Sequence, residues 1–294
     1  MYKNQKTHEE TFPSKDFKFP CFVIESTLIP KTNELEMHWH HDLEIIQVLS
    51  GKVAYLINGF PYDVEAGDLV IINPKQVHTA KVISEGSQYN QVLILSYNLL
   101  SNPLIESIQE KYFEPLMHGK LVFSNHIPKK SHLALHTLIN DMIQTVEQKS
   151  PYYELTVISK FYEVITYLFS NQLYYTNLAY KHKNELDSGY ITRLIIEFVH
   201  ENHMNALTLD SISKHTNVSK FYLCRLFKKT TGTTITNYLI HYRFSVAKRL
   251  LLDTKKNIST VGYEVGFNSA SYFVSKFKSI YGITPKEFRT QNTH

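Results

Sequence analysis

One helical unit occurs twice in the last third of this sequence, and the two copies lie fifty residues apart. The copies read Ser219-x-x-Tyr222-Leu223-x-x-x-Phe227-Lys228-x-x-x-Gly232 and Ser269-x-x-Tyr272-Phe273-x-x-x-Phe277-Lys278-x-x-x-Gly282. Each begins with a serine suited to cap a helix N-terminus, continues with apolar residues four apart, and ends in a glycine suited to a left-handed C-cap. Repetition at a fixed period indicates one supersecondary unit that is built twice.

A shorter apolar helix and a tight turn precede each capping serine, over residues 209–218 and 258–268. Helix, short turn and capped helix form the helix-turn-helix arrangement, whose second helix enters the major groove of DNA. One copy alone is a weak signal, because short helical hairpins are common. Two copies in register, joined by a helical pattern over residues 236–252, predict a DNA-binding domain with two recognition helices.

The net charge of +4 conceals an asymmetry along the chain. From residue 191 onward there are fifteen Lys and Arg against six Asp and Glu, a net charge of +9, so residues 1–190 carry −5. A basic C-terminal third is expected of a protein that binds nucleic acid. The alternative is a soluble basic domain without that function, which the repeat disfavours.

Several motifs in the last hundred or so residues also carry a family resemblance. They are Gly232 through Arg243, Ala247-Lys-Arg-Leu250-Leu251, Val265-Gly266-Phe267, Ser271-Tyr272-Phe273, Phe277-Lys278 and Gly282-x-x-Pro285-x-x-Phe288-Arg289. This set resembles the AraC/XylS family of bacterial transcriptional regulators. The resemblance implies binding to double-stranded promoter DNA, contact with RNA polymerase and no enzymatic activity. Gly262 departs from the family, which usually has alanine there, and a glycine in a helix interior costs about 1 kcal/mol.

The residues opposite the core-facing stripe of each recognition helix are the candidates for DNA contact. Leu223, Leu226 and Phe227 must face the core in the first helix, as must Phe273 and Phe277 in the second. The candidates for DNA contact are Lys220, Phe221, Cys224, Arg225, Lys228, Ala270, Ser271, Val274, Ser275, Lys276 and Lys278.

Arg225 is the best candidate for reading a base, because a guanidinium can bond bidentately to guanine O6 and N7. A contact to phosphate alone is the alternative role. Lys228, Lys276 and Lys278 are expected at phosphates, where they supply affinity without sequence choice. Phe221 is expected either to press on thymine methyl groups or to pack against Tyr222 or the neighbouring helix. The second helix has few long donors, so weaker direct readout is predicted there.

The N-terminal region has the pattern of short strands. Apolar runs rich in β-branched residues occupy residues 43–49, 53–57, 69–72 and 92–95, and Ser50-Gly51, Asn58-Gly59 and Ala66-Gly67-Asp68 separate them. Asn-Gly between two such runs is a hairpin signal. Many short strands with frequent turns predict a β-barrel or jelly roll.

Within this region His38-Trp39-His40-His41-Asp42-Leu43-Glu44 is followed by Gly51, and later by Gly67 and His78. The spacing resembles the cupin signature, and the likeness covers residues 30–85. It implies that His38, His40, Glu44 and His78 fall on the four metal-ligand positions of that family. The second motif departs from the family: Pro74 is displaced by one residue, Lys75 stands where glycine is frequent, and no asparagine follows His78 at the usual distance.

Three roles remain open for these four side chains. His38, His40 and Glu44 are evenly spaced, so on a continuous strand they share one face, which His78 can approach from another strand. Three imidazoles and a carboxylate suit zinc, manganese or iron. Polar pocket residues without a metal are the favoured interpretation, ahead of a metal site and of a metal-dependent enzyme fused to a DNA-binding module.

The barrel is also the candidate sensor. Trp39 and Tyr55, with the histidines, are predicted at its mouth, where aromatic faces and imidazoles bind a small polar effector. The predicted effector-binding residues are His38, Trp39, His40, Glu44, Tyr55 and His78. Family resemblance points to a sugar or a related metabolite. A regulator whose barrel is only structural, with Trp39 and Tyr55 as core residues, is the alternative.

Apolar residues recur at helical spacing over 133–146 and 155–169, and Pro151 is a plausible helix start between them. Family resemblance implies that these helices supply a homodimer interface, and the alternative is that they cover the core of the barrel. Cys21 and Cys224 provide no disulfide framework. No run of eighteen apolar residues occurs, so a cytoplasmic protein without membrane contact is expected.

The predicted fold class is a multidomain α+β protein: a cupin-like barrel or jelly roll, a helical dimerisation segment and an all-α double helix-turn-helix domain. No resident cofactor is predicted apart from the divalent metal considered above. The predicted boundaries are a loose tail over residues 1–17, the barrel over 18–97, the helical coupling segment over 98–170, a linker over 171–190 and the DNA-binding domain over 191–294.

Overall fold

The computed structural model describes residues 19–30, 35–96, 99, 106–176, 188–253 and 255–292. The chain divides into two compact units, Met1–Gly189 and Tyr190–His294. The first is rich in β-structure and the second is helical, which confirms the predicted α+β class. None of the helices within the described residues has the length and hydropathy that a membrane-spanning segment requires.

The first unit contains two antiparallel sheets. One has the strand order β1-β8-β3-β6-β10 and the other has β2-β7-β4-β5, and a third pair joins β9 to β11. The strands are β1 Cys21–Leu28, β2 Leu35–His38, β3 Leu43–Ser50, β4 Lys52–Ile57, β5 Phe60–Glu65, β6 Leu69–Ile72, β7 His78–Val82, β8 Gln88–Leu95, β9 Leu121–Phe123, β10 His126–Ile127 and β11 Tyr174–Thr176.

The barrel core lies between the two larger sheets. Ile46 and Val92 from the first sheet meet Val53, Tyr55 and Ile57 from the second in one buried cluster. The alternation along β3, β4 and β8 therefore directs one face of each strand into the barrel, as the jelly-roll prediction requires. The Asn58-Gly59 hairpin is also confirmed, since both residues have positive φ, 48° and 85°, and β4 pairs with β5 across them.

Helices cover the outer face of the five-stranded sheet. α1 spans Glu106–Ile108, α2 spans Glu114–Met117, α3 spans Leu133–Gln148 and α4 spans Tyr153–Ser170, with a π-helical turn at Gln109–Phe113 and a 3₁₀ turn at Lys129–Ser131. Buried residues of α3 and α4 form one cluster with the side chains of β3, β6 and β8 that point away from the barrel interior. The apolar stripes of α3 and α4 thus pack on the five-stranded sheet, in line with the alternative that these helices cover the core of the barrel.

Three details of the predicted organisation differ. β9 and β10 lie within the segment expected to be helical, and β10 extends the five-stranded sheet beside β6. β11 and the first turn of the next helix, which begins at Ser188, fall within the expected linker. Strands of two or three residues are too short to give a periodic signal. Pro151 precedes the start of α4 by two residues, because Tyr152 occupies the N-cap.

Among the described residues, the second unit consists of seven helices, the first of which begins two residues before Tyr190. They are α5 Ser188–Asn202, α6 Leu209–Thr216, α7 Lys220–Thr231, α8 Ile235–Asp253, α9 Ile258–Glu264, α10 Ala270–Tyr281 and α11 Pro285–Asn292. α6 with α7 and α9 with α10 form the two predicted helix-turn-helix units, and α8 contacts α7, α9 and α11. The predicted duplication is therefore present in the fold.

Gly262 has a packing reason that the sequence did not reveal. It is buried in α9, and a Cβ atom there would lie 3.0 Å from Cδ1 and Cγ of Phe273. The absent methyl group leaves room for the ring of Phe273, which belongs to the core shared by α8, α9 and α10. Close packing against this ring offsets the helix-propensity cost expected of a glycine.

Candidate DNA-binding surface and effector site

The two recognition helices α7 and α10 begin and end in the same way. The Ser219 hydroxyl accepts a hydrogen bond from the Tyr222 N–H at 3.4 Å, and Ser269 accepts one from Tyr272 at 3.3 Å. Gly232 and Gly282 close the helices in the left-handed region, with φ of 73° and 77°. Equal caps at both ends give the two helices the same length and polarity.

The core-facing stripes are as predicted. Leu223, Leu226 and Phe227 are buried in α7, and Phe273 and Phe277 are buried in α10. Because these side chains fix the rotation of each helix about its own axis, they determine which residues face outward.

More of the predicted DNA-contact residues are exposed on α7 than on α10. Phe221 is 79% exposed, so it does not pack against a neighbouring helix, which was one of its two predicted roles. The other exposed members of the predicted set are Lys220, Cys224, Arg225, Lys228, Ser271, Ser275 and Lys278. Ala270, Val274 and Lys276 are half-buried, and Val274 packs against the core of the second unit, because α10 turns this position inward. The outward face of α10 is thus smaller than predicted.

Two tyrosines enlarge this surface beyond the predicted set. Tyr222 and Tyr272 occupy matching positions of the repeat, and both side chains are exposed. Their equal spacing from the capping serines was visible in the sequence, although apolar periodicity assigned them no face.

Lys220 forms an ion pair with Asp210 of α6 at 2.8 Å, and this hydrogen bond holds the pKa of Asp210 below its ordinary value. Exposed pairs are weak, so Lys220 remains able to move to a phosphate.

The predicted histidine cluster lies inside the barrel of the first unit. His38 at the end of β2 pairs in register with His78 at the start of β7, and their rings are 4.1 Å apart. The ring of His40 lies 5.1 Å from that of His78. Ligand nitrogens of the three buried histidines are all within 4.8 Å of one another. The side chains predicted to converge are therefore brought together.

Glu44 meets this cluster from the opposite sheet. Its Oε2 atom lies 2.8 Å from His40 Nε2 and 3.5 Å from His78 Nε2. The expected continuous strand through His38, His40 and Glu44 is wrong, because β2 ends at His38 and a bend separates it from β3. Even spacing suggested a shared face, whereas a chain reversal between the sheets produces the proximity.

The backbone fixes the orientation of two of these rings. His40 Nδ1 lies 2.9 Å from the carbonyl oxygen of Asp42, and His78 Nδ1 lies 2.9 Å from that of Gln76. If each Nδ1 donates to its carbonyl, the Nε2 atom of a neutral ring has a lone pair that points at the Glu44 carboxylate. The exceptions are an Nε2 atom that carries a proton and one that binds a cation. The donor set therefore suits either a charged imidazole or a divalent metal.

The electrostatics of the cluster follow from burial and from close charges. Burial and the neighbouring charge of His38 lower the pKa of His78 to about 4, so its imidazole is neutral near pH 7. Burial acts to raise the pKa of Glu44, but the hydrogen bond with His40 outweighs it and holds that pKa below its ordinary value. Glu44 is thus a buried carboxylate anion.

Trp39 and Tyr55 are both buried, so the prediction that they lie at an open mouth is wrong. Trp39 directly follows β2, and its ring lies 5.0 Å from that of His41. Tyr55 points into the core between the sheets, where burial and the charge of Glu44 raise the pKa of its hydroxyl. A ligand of these residues would have to be enclosed by the barrel.

Gln88 and Asn90 of β8 were missed as candidates for this site. Both are buried, and their side-chain amides hydrogen-bond to each other. Asn90 also bonds the Tyr55 hydroxyl. The signal in the sequence was the even spacing of Gln88, Asn90, Val92 and Ile94, which sets two amides on the same face as core residues.

Comparisons with known proteins follow this division. The profile of the AraC-like ligand binding domain matches residues 30–165, and that of a helix-turn-helix domain matches residues 212–291. The HTH-type transcriptional regulator YdeC of Bacillus subtilis is 27% identical over 289 residues, which make up 97% of each chain. The melibiose operon regulatory protein of Escherichia coli is 22% identical over 259 residues, 86% of this chain and 82% of that one. The structure of ToxT from Vibrio cholerae covers 94% of this chain and 100% of its own, with 14% identity and a TM-score of 0.47.

Replacing Glu44 by glutamine tests the electrostatics of the cluster. We expect Glu44→Gln to lower the free energy of unfolding by roughly 2 kcal/mol, because hydrogen bonds to a charged group are lost while the size of the side chain is kept. Trp39, the one tryptophan of the chain, is buried near the cluster and reports urea unfolding by its fluorescence. Glu25→Gln on the exposed face of β1 is the matched control, with an expected change within about 0.5 kcal/mol. Equal unfolding midpoints for the two variants would contradict the assignment.

Proposed function

Because this chain belongs to the AraC/XylS family of transcriptional regulators, we propose that it binds promoter DNA through both recognition helices under the control of a small polar effector in the barrel. The observation that carries the proposal is the pair of equally capped helices whose apolar stripes are buried and whose opposite faces are exposed. The net charge of +9 from residue 191 onward supplies the attraction to the phosphate backbone.

Within α7 the roles differ from residue to residue. Arg225 is exposed beside Phe221, so a guanidinium for guanine and an aromatic ring for thymine methyl groups lie on one helix face. Lys228 is exposed in the last turn and serves a phosphate. In α10 the outward groups are mainly the hydroxyls of Ser271 and Ser275, which give weaker base discrimination. The two helices would enter major-groove segments about 34 Å apart on nearly straight DNA.

The proposed effector is a sugar or a related polyhydroxylated metabolite. The buried polar groups of the barrel combine acceptors and donors: the Glu44 carboxylate, the Tyr55 hydroxyl and the amides of Gln88 and Asn90. Such a set can bond several hydroxyl groups at once, and the buried Trp39 ring adds an apolar surface nearby. The relative named for the melibiose operon agrees with a carbohydrate-related role.

Metal binding at His38, His40, Glu44 and His78 is a second candidate function. The close approach of the Nε2 atoms of His40 and His78 to the Glu44 carboxylate favours it, because a cation between them would satisfy all three groups. These residues would hold the ion, which would supply a Lewis-acidic point for an effector oxygen. Turnover of a substrate at such an ion is the enzymatic alternative, while the relatives are named as transcriptional regulators.

We further propose a cytoplasmic homodimer that recruits RNA polymerase. Tyr152 and Leu155 at the start of α4 are 78% and 69% exposed, and they form an apolar corner that the first unit leaves uncovered. A second copy of the chain would bury this corner.

The first prediction concerns base readout by α7. Arg225→Ala is expected to weaken binding to a duplex selected from random DNA by roughly 1–3 kcal/mol and to relax specificity at one base pair. Lys228→Ala is the control, which should weaken binding to all duplexes alike and reduce the salt slope by about one. Fluorescence anisotropy at several salt concentrations measures both variants. Equal losses for Arg225→Ala on selected and random duplexes would contradict base readout.

A second prediction concerns the barrel. Titration with a panel of mono- and disaccharides should change Trp39 fluorescence, and Tyr55→Phe should weaken that response about tenfold through loss of one hydrogen bond.

Metal analysis of protein purified without chelators separates the two candidates. Stoichiometric zinc, manganese or iron that disappears in His78→Gln supports the metal site. An unchanged fluorescence and melting temperature with every sugar, in metal-free protein, would rule out the carbohydrate sensor.

The third prediction concerns assembly. Light scattering at micromolar concentration should give the mass of a dimer for the natural chain and that of a monomer for Leu155→Lys, because a charge at the apolar corner opposes its burial. Leu133→Lys, at another exposed leucine of the same unit, is the control and should remain dimeric. A monomeric natural chain would contradict the dimer.

A further inference from the structure

Arg243 lies in the middle of α8, the helix shared by the two helix-turn-helix units. Its Nε atom donates to the carbonyl oxygen of His203 at 2.7 Å, and its Nη2 atom donates to that of Asn205 at 2.9 Å. Residues 203 and 205 follow α5, which belongs to the first half of the domain. A single guanidinium thus holds the loop between α5 and α6 by two backbone contacts.

The same guanidinium also contacts the second half. Its Cζ atom lies 5.6 Å from the centroid of the Phe267 ring, which follows α9. That ring stacks on Phe244 at 5.0 Å, in the buried cluster formed by α8, α9 and α10. Arg243 is therefore packed between a loop of the first half and an aromatic core residue of the second.

Gly266 brings the two halves into direct contact at this point. Its φ is +95°, and a Cβ atom there would lie 2.5 Å from the His203 carbonyl oxygen and 2.9 Å from Arg243 Nε. Only a glycine allows the turn after α9 to approach the loop after α5 so closely. Three separate segments meet around the side chain of Arg243. Any other side chain at this position would lose part of these contacts, because it lacks the planar, forked guanidinium.

We propose that Arg243 is a positioning residue that fixes the orientation of the first helix-turn-helix unit relative to the second, so that α7 and α10 can bind one DNA site together. The inference rests on the proposed function, because its consequence is expressed in DNA binding. With the orientation fixed, binding of α10 after α7 is intramolecular and benefits from a high effective concentration. Loss of this fixed orientation lowers the effective concentration of α10 at its DNA segment, while each recognition helix stays folded.

Two other roles for Arg243 have different consequences. A phosphate contact would lower binding to any duplex, including one that engages a single recognition helix. A general contribution to folding would lower the melting temperature without separating full sites from half sites. A positioning role alone predicts a loss that is confined to duplexes that engage both helices.

The test compares Arg243→Lys with the natural chain on two duplexes. Lysine keeps the charge but cannot donate to both carbonyls in the plane of a fork. One duplex is the full sequence selected from random DNA, and in the other the segment bound by α10 is scrambled. We expect Arg243→Lys to bind the full duplex about tenfold more weakly and the scrambled duplex as well as the natural chain does. Arg249→Lys, an exposed arginine of the same helix, is the control and should leave both unchanged.

A second readout needs no DNA. Spin labels at the exposed Cys224 and at Ser275→Cys, with the buried Cys21 changed to serine, report the distance between α7 and α10 in the full-length chain. We expect one narrow distance distribution for the natural Arg243 and a broad one for Arg243→Lys. Arg243→Gln, which can still donate to one carbonyl, should be intermediate and serves if the lysine variant folds poorly.

The outcomes separate this inference from the proposed function. A narrow distribution in Arg243→Lys, with full-site binding unchanged or reduced equally on both duplexes, would overturn the positioning role. A broad distribution with a loss only on the full duplex supports it. If the natural chain selects no DNA sequence, the proposed function fails, and the spin-label distances still decide whether Arg243 holds the two halves.

Discussion

Burial of an apolar stripe along each recognition helix is the constraint on which the DNA-binding domain depends. Phe227 and Phe277 occupy the same position of the repeat, and both are fully buried. Once these rings face inward, the rotation of each helix is fixed and its opposite face can only be exposed. Equal caps at Ser219 and Ser269 then set where that face begins. An outward surface on each helix therefore follows from the requirements of the core, and the proposed DNA contacts are made by the charged side chains on it.

The barrel solves a different problem, which is how to hold polar groups in an apolar interior. Glu44 is an anion inside the protein, and the imidazole of His40, just after a strand of the other sheet, lies 2.8 Å from its carboxylate. Such a group is costly to bury unless it has partners, so the cluster restricts how the two sheets can meet. An effector or a metal that bonds the same atoms would alter this balance. The barrel core and the proposed site consequently share residues, and a ligand bound there would affect the packing of the whole unit.

The sequence specified the elements with a strong local signal and left out those that depend on distant contacts. Capping residues and apolar periods predicted α7 and α10 within a residue or two, and Asn58-Gly59 predicted a hairpin. Strands β9 to β11 were missed because two or three residues carry no period. The bend after His38 and the burial of Tyr55 were missed because both depend on how the two sheets face each other. Arg243 ends one of the motifs that carry the family resemblance, but its contacts had no signal, since its partners are backbone carbonyls far away in the sequence.

Footprinting with hydroxyl radicals on a duplex selected by the full-length protein tests the central claim most directly. Two recognition helices on one chain should protect two patches of the backbone on one face of the DNA, with centres about 10 base pairs apart. Arg225→Ala should weaken the patch assigned to α7 more than the patch assigned to α10. A single protected patch, or two patches on opposite faces of the duplex, would contradict joint binding by the duplicated module.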